Sequence, residues 1–141
     1  RPVIHPKDVF YLIAGRLDRS MSIDFVSMRM NAEEELNNVN ASLDDIYEYI
    51  KNKFNLSDSV CDKIKKEEIL CECAILQRRK DMYLVYESAV LSKKRIIAVS
   101  DMYMASAQLK EILNIKGYTE VDDVYVSCEY KARKESGELF P

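Results

Sequence analysis

Between residues 8 and 93, apolar side chains recur every three to four positions, the period of a helix with one buried face. After His5 and Pro6, the positions Val9, Phe10, Leu12, Ile13 and Leu17 mark a first helix. Ser22-Ile23-Asp24 opens a second, through Phe25, Val26, Met28 and Met30 to Ala32 and Leu36. Asn37, Asn38, Val39 and Asn40 form a polar break. Ser42 with Asp45 three residues later has the spacing of a capping box, and Asp44 and Asp45 in the first turn suit the helix dipole. Ile46, Tyr47, Ile50 and Phe54 then give the buried stripe. Ser57, Asp58 and Ser59 offer caps to a long helix containing Ile64, Ile69, Leu70, Ala74 and Ile75. It either runs through Gln77-Arg78-Arg79-Lys80 into Met82, Leu84, Val85, Ala89, Val90 and Leu91, or breaks near Asp81. Lys63, Lys65, Lys66, Glu67 and Glu68 are expected on a solvated face with helical ion pairs. Short connections predict an antiparallel bundle of four or five helices over 8–93.

The pattern changes over 94–141. Ile96-Ile97-Ala98-Val99 is a short β-branched run that stops at Ser100-Asp101, as a strand buried on both faces does. Leu109, Ile112, Leu113 and Ile115 return to the helical period, with Ser106 or Asp101 as candidate caps and Gly117 where a left-handed C-terminal cap belongs. A second strand, Val124-Tyr125-Val126-Ser127, precedes a polar segment with Lys131, Arg133 and Lys134. Strand, crossover helix and strand at this length predict one right-handed βαβ unit with parallel strands. The fold class is therefore α/β, predominantly helical.

Composition narrows the picture. Three Gly and three Pro in 141 residues leave the middle of the chain almost without breakers, which favours long helices. A net charge of −3 and a pI near 5.3 argue against a nucleic-acid surface, which would be basic and clustered. No apolar run approaches the ~20 residues of a membrane span, and Arg1-Pro2-Val3-Ile4 does not open a signal peptide, so a cytoplasmic protein is expected. Cys61, Cys71, Cys73 and Cys128 form no Cys-x-x-Cys pair and the one His is distant, so reduced, partly buried thiols are expected. No metal site is read in this chain.

Candidate chemistry lies at the carboxyl ends of the two strands, where open α/β sheets bind ligands. Ser100 offers a hydroxyl beside the N–H groups of the next helix start, an arrangement suited to phosphate. Lys131, Arg133 and Lys134 can bring a cation to the same edge. The competing reading is that Ser100 and Asp101 only cap a helix.

The segment VSDMYM, a helix, and then YVSCEYKARKESGELF resembles the haloacid-dehalogenase-like (HAD) hydrolase superfamily, in particular its bacterial branch associated with glycosyltransferases. The looser matches NAEEE and SLDDIYEYI extend the resemblance into the helical part. The resemblance implies that Ser100 is the phosphate-binding residue of the second motif. The third-motif Lys is then Lys134, in a K-x-x-G-x-L-F pattern, with Lys131 as the alternative. It further implies a helical cap over 8–93 and part of a Rossmann-like core over 94–141. The activity implied is magnesium-dependent phosphohydrolysis or phosphoryl transfer through an aspartyl-phosphate, on a phosphorylated small molecule or sugar phosphate. The family's Asp-x-Asp nucleophile motif and its later acidic metal motif are not found in this sequence. The chain is thus expected to be an interior fragment without catalytic residues or bound magnesium of its own. The alternative is a non-catalytic HAD-like scaffold or regulatory module attached to a glycosyltransferase. Arg29, Glu33, Glu34, Arg16 and Arg19 are expected to form salt bridges rather than contact substrate. Two strands with one helix leave sheet edges open, which predicts self-association through an edge.

Overall fold

The computed structural model of the chain describes residues 7–36, 40–132 and 134–138, without the side chains of 19–23. His5, Pro6, the Asn37-Asn38-Val39 break, the Ser22 cap, the Arg19 side chain and Arg133 thus lie outside the described residues. The chain is a predominantly helical α/β protein that divides into two compact units, 1–76 and 77–141.

The first unit holds α1 (Asp8–Ala14), α2 (Arg19–Leu36), α3 (Leu43–Phe54) and α4 (Asp58–Ile75). Helix α2 packs on α1 and α3, and α4 also packs on α1 and α3. Val9, Phe10, Ile13, Phe25, Met28, Ala32, Ile46, Tyr47, Ile50 and Ile64 fill the space between them. The capping box at the start of α3 is present. Ser42 Oγ accepts the Asp45 N–H at 3.1 Å, and the Asp45 carboxylate accepts the Ser42 N–H at 2.8 Å. At its other end Asn55 turns left-handed, at φ 52°, and Leu56 N–H returns to the Lys51 carbonyl at 3.1 Å. Ser57 caps α4, accepting the Val60 N–H at 3.3 Å.

Three expectations for this unit are corrected. The buried face of α4 carries Cys61, Ile64, Glu68 and Cys71, whereas Leu70 and Ala74 are exposed. Glu68 is fully buried and so leaves the charge run expected on the solvated face. Its carboxylate is drawn inward by Arg29 of α2. Arg29 Nε donates to both of its oxygens at 3.1 Å, and Nη2 donates to Oε1 at 3.0 Å. Tyr47 Oη donates to Oε2 at 2.7 Å. The Arg29 guanidinium also lies 4.6 Å from the centre of the Phe10 ring. Charge-assisted bonds on both oxygens offset the cost of taking the carboxylate out of water. Phe54, expected in the buried stripe, is partly exposed at the end of α3.

The second unit runs α5 (Lys80–Leu91), β1 (Ile97–Ser100), α6 (Ser106–Ile115), β2 (Asp123–Val126), α7 (Ser127–Tyr130) and a 3₁₀ turn at Lys134–Ser136. A break after Ile75 decides between the two readings of the long helix: Leu76 leaves the helical region at ψ 126° and α5 begins at Lys80. The strands are parallel, with Ile97 opposite Asp123 and Ser100 opposite Val126. Helix α6 packs on β2, and Leu109, Val126 and Cys128 form a small core with Met102, Leu113 and Val124 against it. Gly117, at φ 93°, ends α6, with Tyr118 N–H on the Leu113 carbonyl at 2.9 Å. Ser127 begins α7 instead of ending β2.

Here too the apolar pattern overstates burial. β1 was expected to be covered on both faces, yet Ile97 is exposed and the rest of the strand only half-buried. On α5, the expected core positions Met82, Leu84, Val85 and Leu91 are exposed. What holds α5 is aromatic: Tyr83 and Tyr86 meet Tyr118 edge-on at 5.4 and 4.9 Å, and Tyr86 Oη accepts the Glu120 N–H at 2.8 Å. No helix of the described residues is long and apolar enough to cross a membrane.

Candidate functional site

Because β1 and β2 are parallel and end in register, Ser100 and Val126 bring their following segments out of the same edge of the sheet. Three hydrogen bonds then fasten those segments side by side. Ser127 Oγ donates to the Met102 carbonyl at 3.4 Å and Cys128 Sγ to the Met104 carbonyl at 3.6 Å. The Lys134 N–H donates to Asp101 Oδ1 at 3.1 Å. The turn carrying Lys134 is therefore tied to the residue immediately after Ser100.

Ser100 is half-buried at the end of β1, and the Lys134 and Lys131 residues are both exposed. Lys131 takes a left-handed backbone, φ 53°, directly after α7. That conformation is uncommon for a residue with a Cβ, and it ends α7. Lys134 opens the 3₁₀ turn that Gly137 closes at φ 76°, so Ser136 and Gly137 do not start a longer helix among the described residues.

The start of α6 differs from both caps expected for it. Ala105 precedes the first helical residue and its N–H is accepted by Gln108 Oε1 at 3.2 Å. Ser106 is the first helical residue, and Glu129 Oε1 accepts its N–H at 2.8 Å and its hydroxyl at 3.0 Å. A carboxylate thus already sits against the positive end of α6. Asp101 is occupied with Lys134 rather than with α6. The edge thus brings together the end of β1 at Ser100, the backbone of Lys134 on Asp101, and Glu129 on the first N–H of α6, with the Lys131 and Lys134 side chains exposed.

The sequence pattern singles out Ser100, Lys131 and Lys134 but not Asp101 and Glu129, the groups that fasten the edge. The available signal was a carboxylate shortly after each strand, Asp101 one residue past β1 and Glu129 three residues past β2. Among the described residues, no three His, Cys, Asp or Glu side chains gather so as to hold a metal ion. The chain matches no family model and no curated protein.

Proposed function

We propose that the chain is part of a HAD-type phosphohydrolase or phosphotransferase that works through an aspartyl-phosphate, with Ser100 and Lys134 as its phosphate ligands. One observation carries the reading: the Lys134 turn is tied through Asp101 to the end of the strand that finishes in Ser100. A hydroxyl and an ammonium at the carboxyl edge of parallel strands suit the charge on a transferring phosphoryl group. Lysine fits because its compact charge and three rotatable donors serve phosphate and a nucleophilic carboxylate together. Asp101 has a positioning role, holding the backbone of Lys134 rather than attacking substrate. Magnesium would be held by the family's acidic motifs, which this sequence does not contain, and the described residues gather no metal-ligating cluster. The substrate class is a phosphorylated small molecule or sugar phosphate in the cytoplasm, and 8–93 acts as the cap.

The test is sequencing of the native protein ahead of Arg1, followed by a phosphate-ester screen with magnesium if an Asp-x-Asp precedes it. In that protein Ser100→Ala and Lys134→Gln are each expected to lower kcat about 10²-fold, as loss of a transition-state donor does. Lys131→Gln should leave kcat within about twofold. Robust turnover by the 141-residue chain alone would overturn the assignment.

A non-catalytic scaffold attached to a glycosyltransferase is the second reading. It is favoured by Glu129, whose carboxylate takes the α6 N–H that a phosphate would otherwise share. A native protein with no Asp-x-Asp and no phosphate binding supports it.

A further inference from the structure

The helical unit carries a cleft of about 550 Å³ between α2, α3 and α4, well away in sequence from the strand edge. That size lies within the range of small-molecule sites. Its floor is apolar, with Met28 and Ile64 buried beneath it and the partly exposed Phe54 forming a wall. Its polar groups are few and fixed. Lys53 Nζ donates to Asn31 Oδ1 and to Tyr49 Oη, each at 2.6 Å, and Tyr49 Oη in turn donates to Asn31 Oδ1 at 3.3 Å. An ammonium has three donors, so one remains for a ligand. The hydrogen bond with Tyr49 raises the pKa of Lys53 above its usual value, so the side chain stays charged.

Charge is also ordered along the cleft. Asp24, Met28 and Asn31 lie at i, i+4 and i+7 on one face of α2, so Asp24 stands about 10 Å along the axis from Asn31. Asp24 marks one end and Lys53 the other, where the Glu35 carboxylate also acts on the ammonium, and the middle is apolar.

We propose that this cleft binds an elongated small molecule with an apolar body and an acidic head group, the head on Lys53 and the body over Met28 and Ile64. Asp24 keeps the acid at the Lys53 end and favours a hydrogen-bond donor at the other. This inference concerns the helical unit alone and does not depend on the phosphoryl-transfer reading.

The probe is 1-anilinonaphthalene-8-sulfonate, titrated into the 141-residue chain and followed by backbone amide chemical shifts. Shifts are expected to concentrate at 24–31 and 53–64. Lys53→Gln should weaken binding about tenfold, the worth of one charge-assisted hydrogen bond. Ser27→Phe, which fills the cleft from an exposed position, should abolish binding with far-UV circular dichroism unchanged. The uncharged N-phenyl-1-naphthylamine should bind at least tenfold more weakly. The exposed apolar side of α5 is the competing location. Shifts confined to 82–91, an unchanged affinity in Lys53→Gln, or no binding at all would each overturn the proposal.

Discussion

A single carboxylate decides how the helical unit closes. Glu68 is fully buried, and its oxygens receive Arg29 and Tyr47 at 2.7–3.1 Å. Removing one partner leaves a charge in the core without compensation, so Glu68→Ala is expected to destabilise the unit by about 3–5 kcal/mol. Tyr47→Phe removes one bond to a charged group, worth about 1.5–3 kcal/mol. The double change Arg29→Met with Glu68→Leu should recover much of the first loss, because well-packed apolar residues can replace a buried pair. Urea unfolding followed by circular dichroism measures all three, and a loss under 1 kcal/mol in Glu68→Ala would show that the pair is solvated. The cysteines give a second test. Burial pushes the Cys61 and Cys71 thiols above their usual pKa, so little reactive thiolate forms at neutral pH. Cys73 is half-exposed, and no disulfide engages any of the four. In the folded chain a disulfide reagent should modify Cys73 first and leave Cys61 and Cys71 until unfolding; equal rates at Cys61 and Cys73 would contradict this.

Helix ends test how local interactions hold the folded elements. Ser42→Ala loses the capping box of α3 and should cost about 1 kcal/mol in thermal or urea unfolding. Gly117→Ala should cost more than the same change elsewhere in a loop. Its φ of 93° disfavours any side chain, and the new Cβ would stand 3.0 Å from Arg78 Nη1. No loss of stability in the 77–141 unit would mean that the turn relaxes freely. Both features were legible in the sequence because they are written within a few residues: Ser42 reads Asp45, and Gly117 closes a helix with its own turn. The order of strand, helix and strand was legible for the same reason, and so was Ser100 at a strand end. What was not legible depends on distant partners. The inward face of α4 follows from Arg29, 39 residues before Glu68. The tie of Lys134 to Asp101 spans 33 residues. Periodicity also counts Leu84 or Leu91 as core whether or not anything covers it, so α5 looked like one more bundle helix. It belongs instead to the 77–141 unit, where Tyr83 and Tyr86 meet Tyr118.

The two units carry unequal cores, and that inequality should govern how the chain opens. In 1–76 four helices contact one another in a closed circuit around large buried residues, with capped starts on α3 and α4. In 77–141 the buried cluster around α6 and β2 is small, no residue of α5 is buried, and each strand has only four residues. A short parallel pair with unpaired outer edges among the described residues has little to protect its amides. Those edges are expected to make sedimentation of the chain concentration-dependent, and a single sharp monomer at high concentration would argue against edge pairing. Hydrogen exchange separates the units more directly. Amides of α3 and α4 should exchange slowest, through opening of the whole bundle, while β1 and β2 exchange through smaller, local openings. Trypsin provides a physical cut at the same boundary, since Arg78, Arg79 and Lys80 lie in an exposed stretch just after the break at Leu76. The amino-terminal product is expected to keep the helical signal and melting point of the bundle, because the contacts that close it lie within 1–76. If β1 amides exchange as slowly as those of α3, or if the cut melts the bundle, stability is shared across the boundary and the two units fold as one.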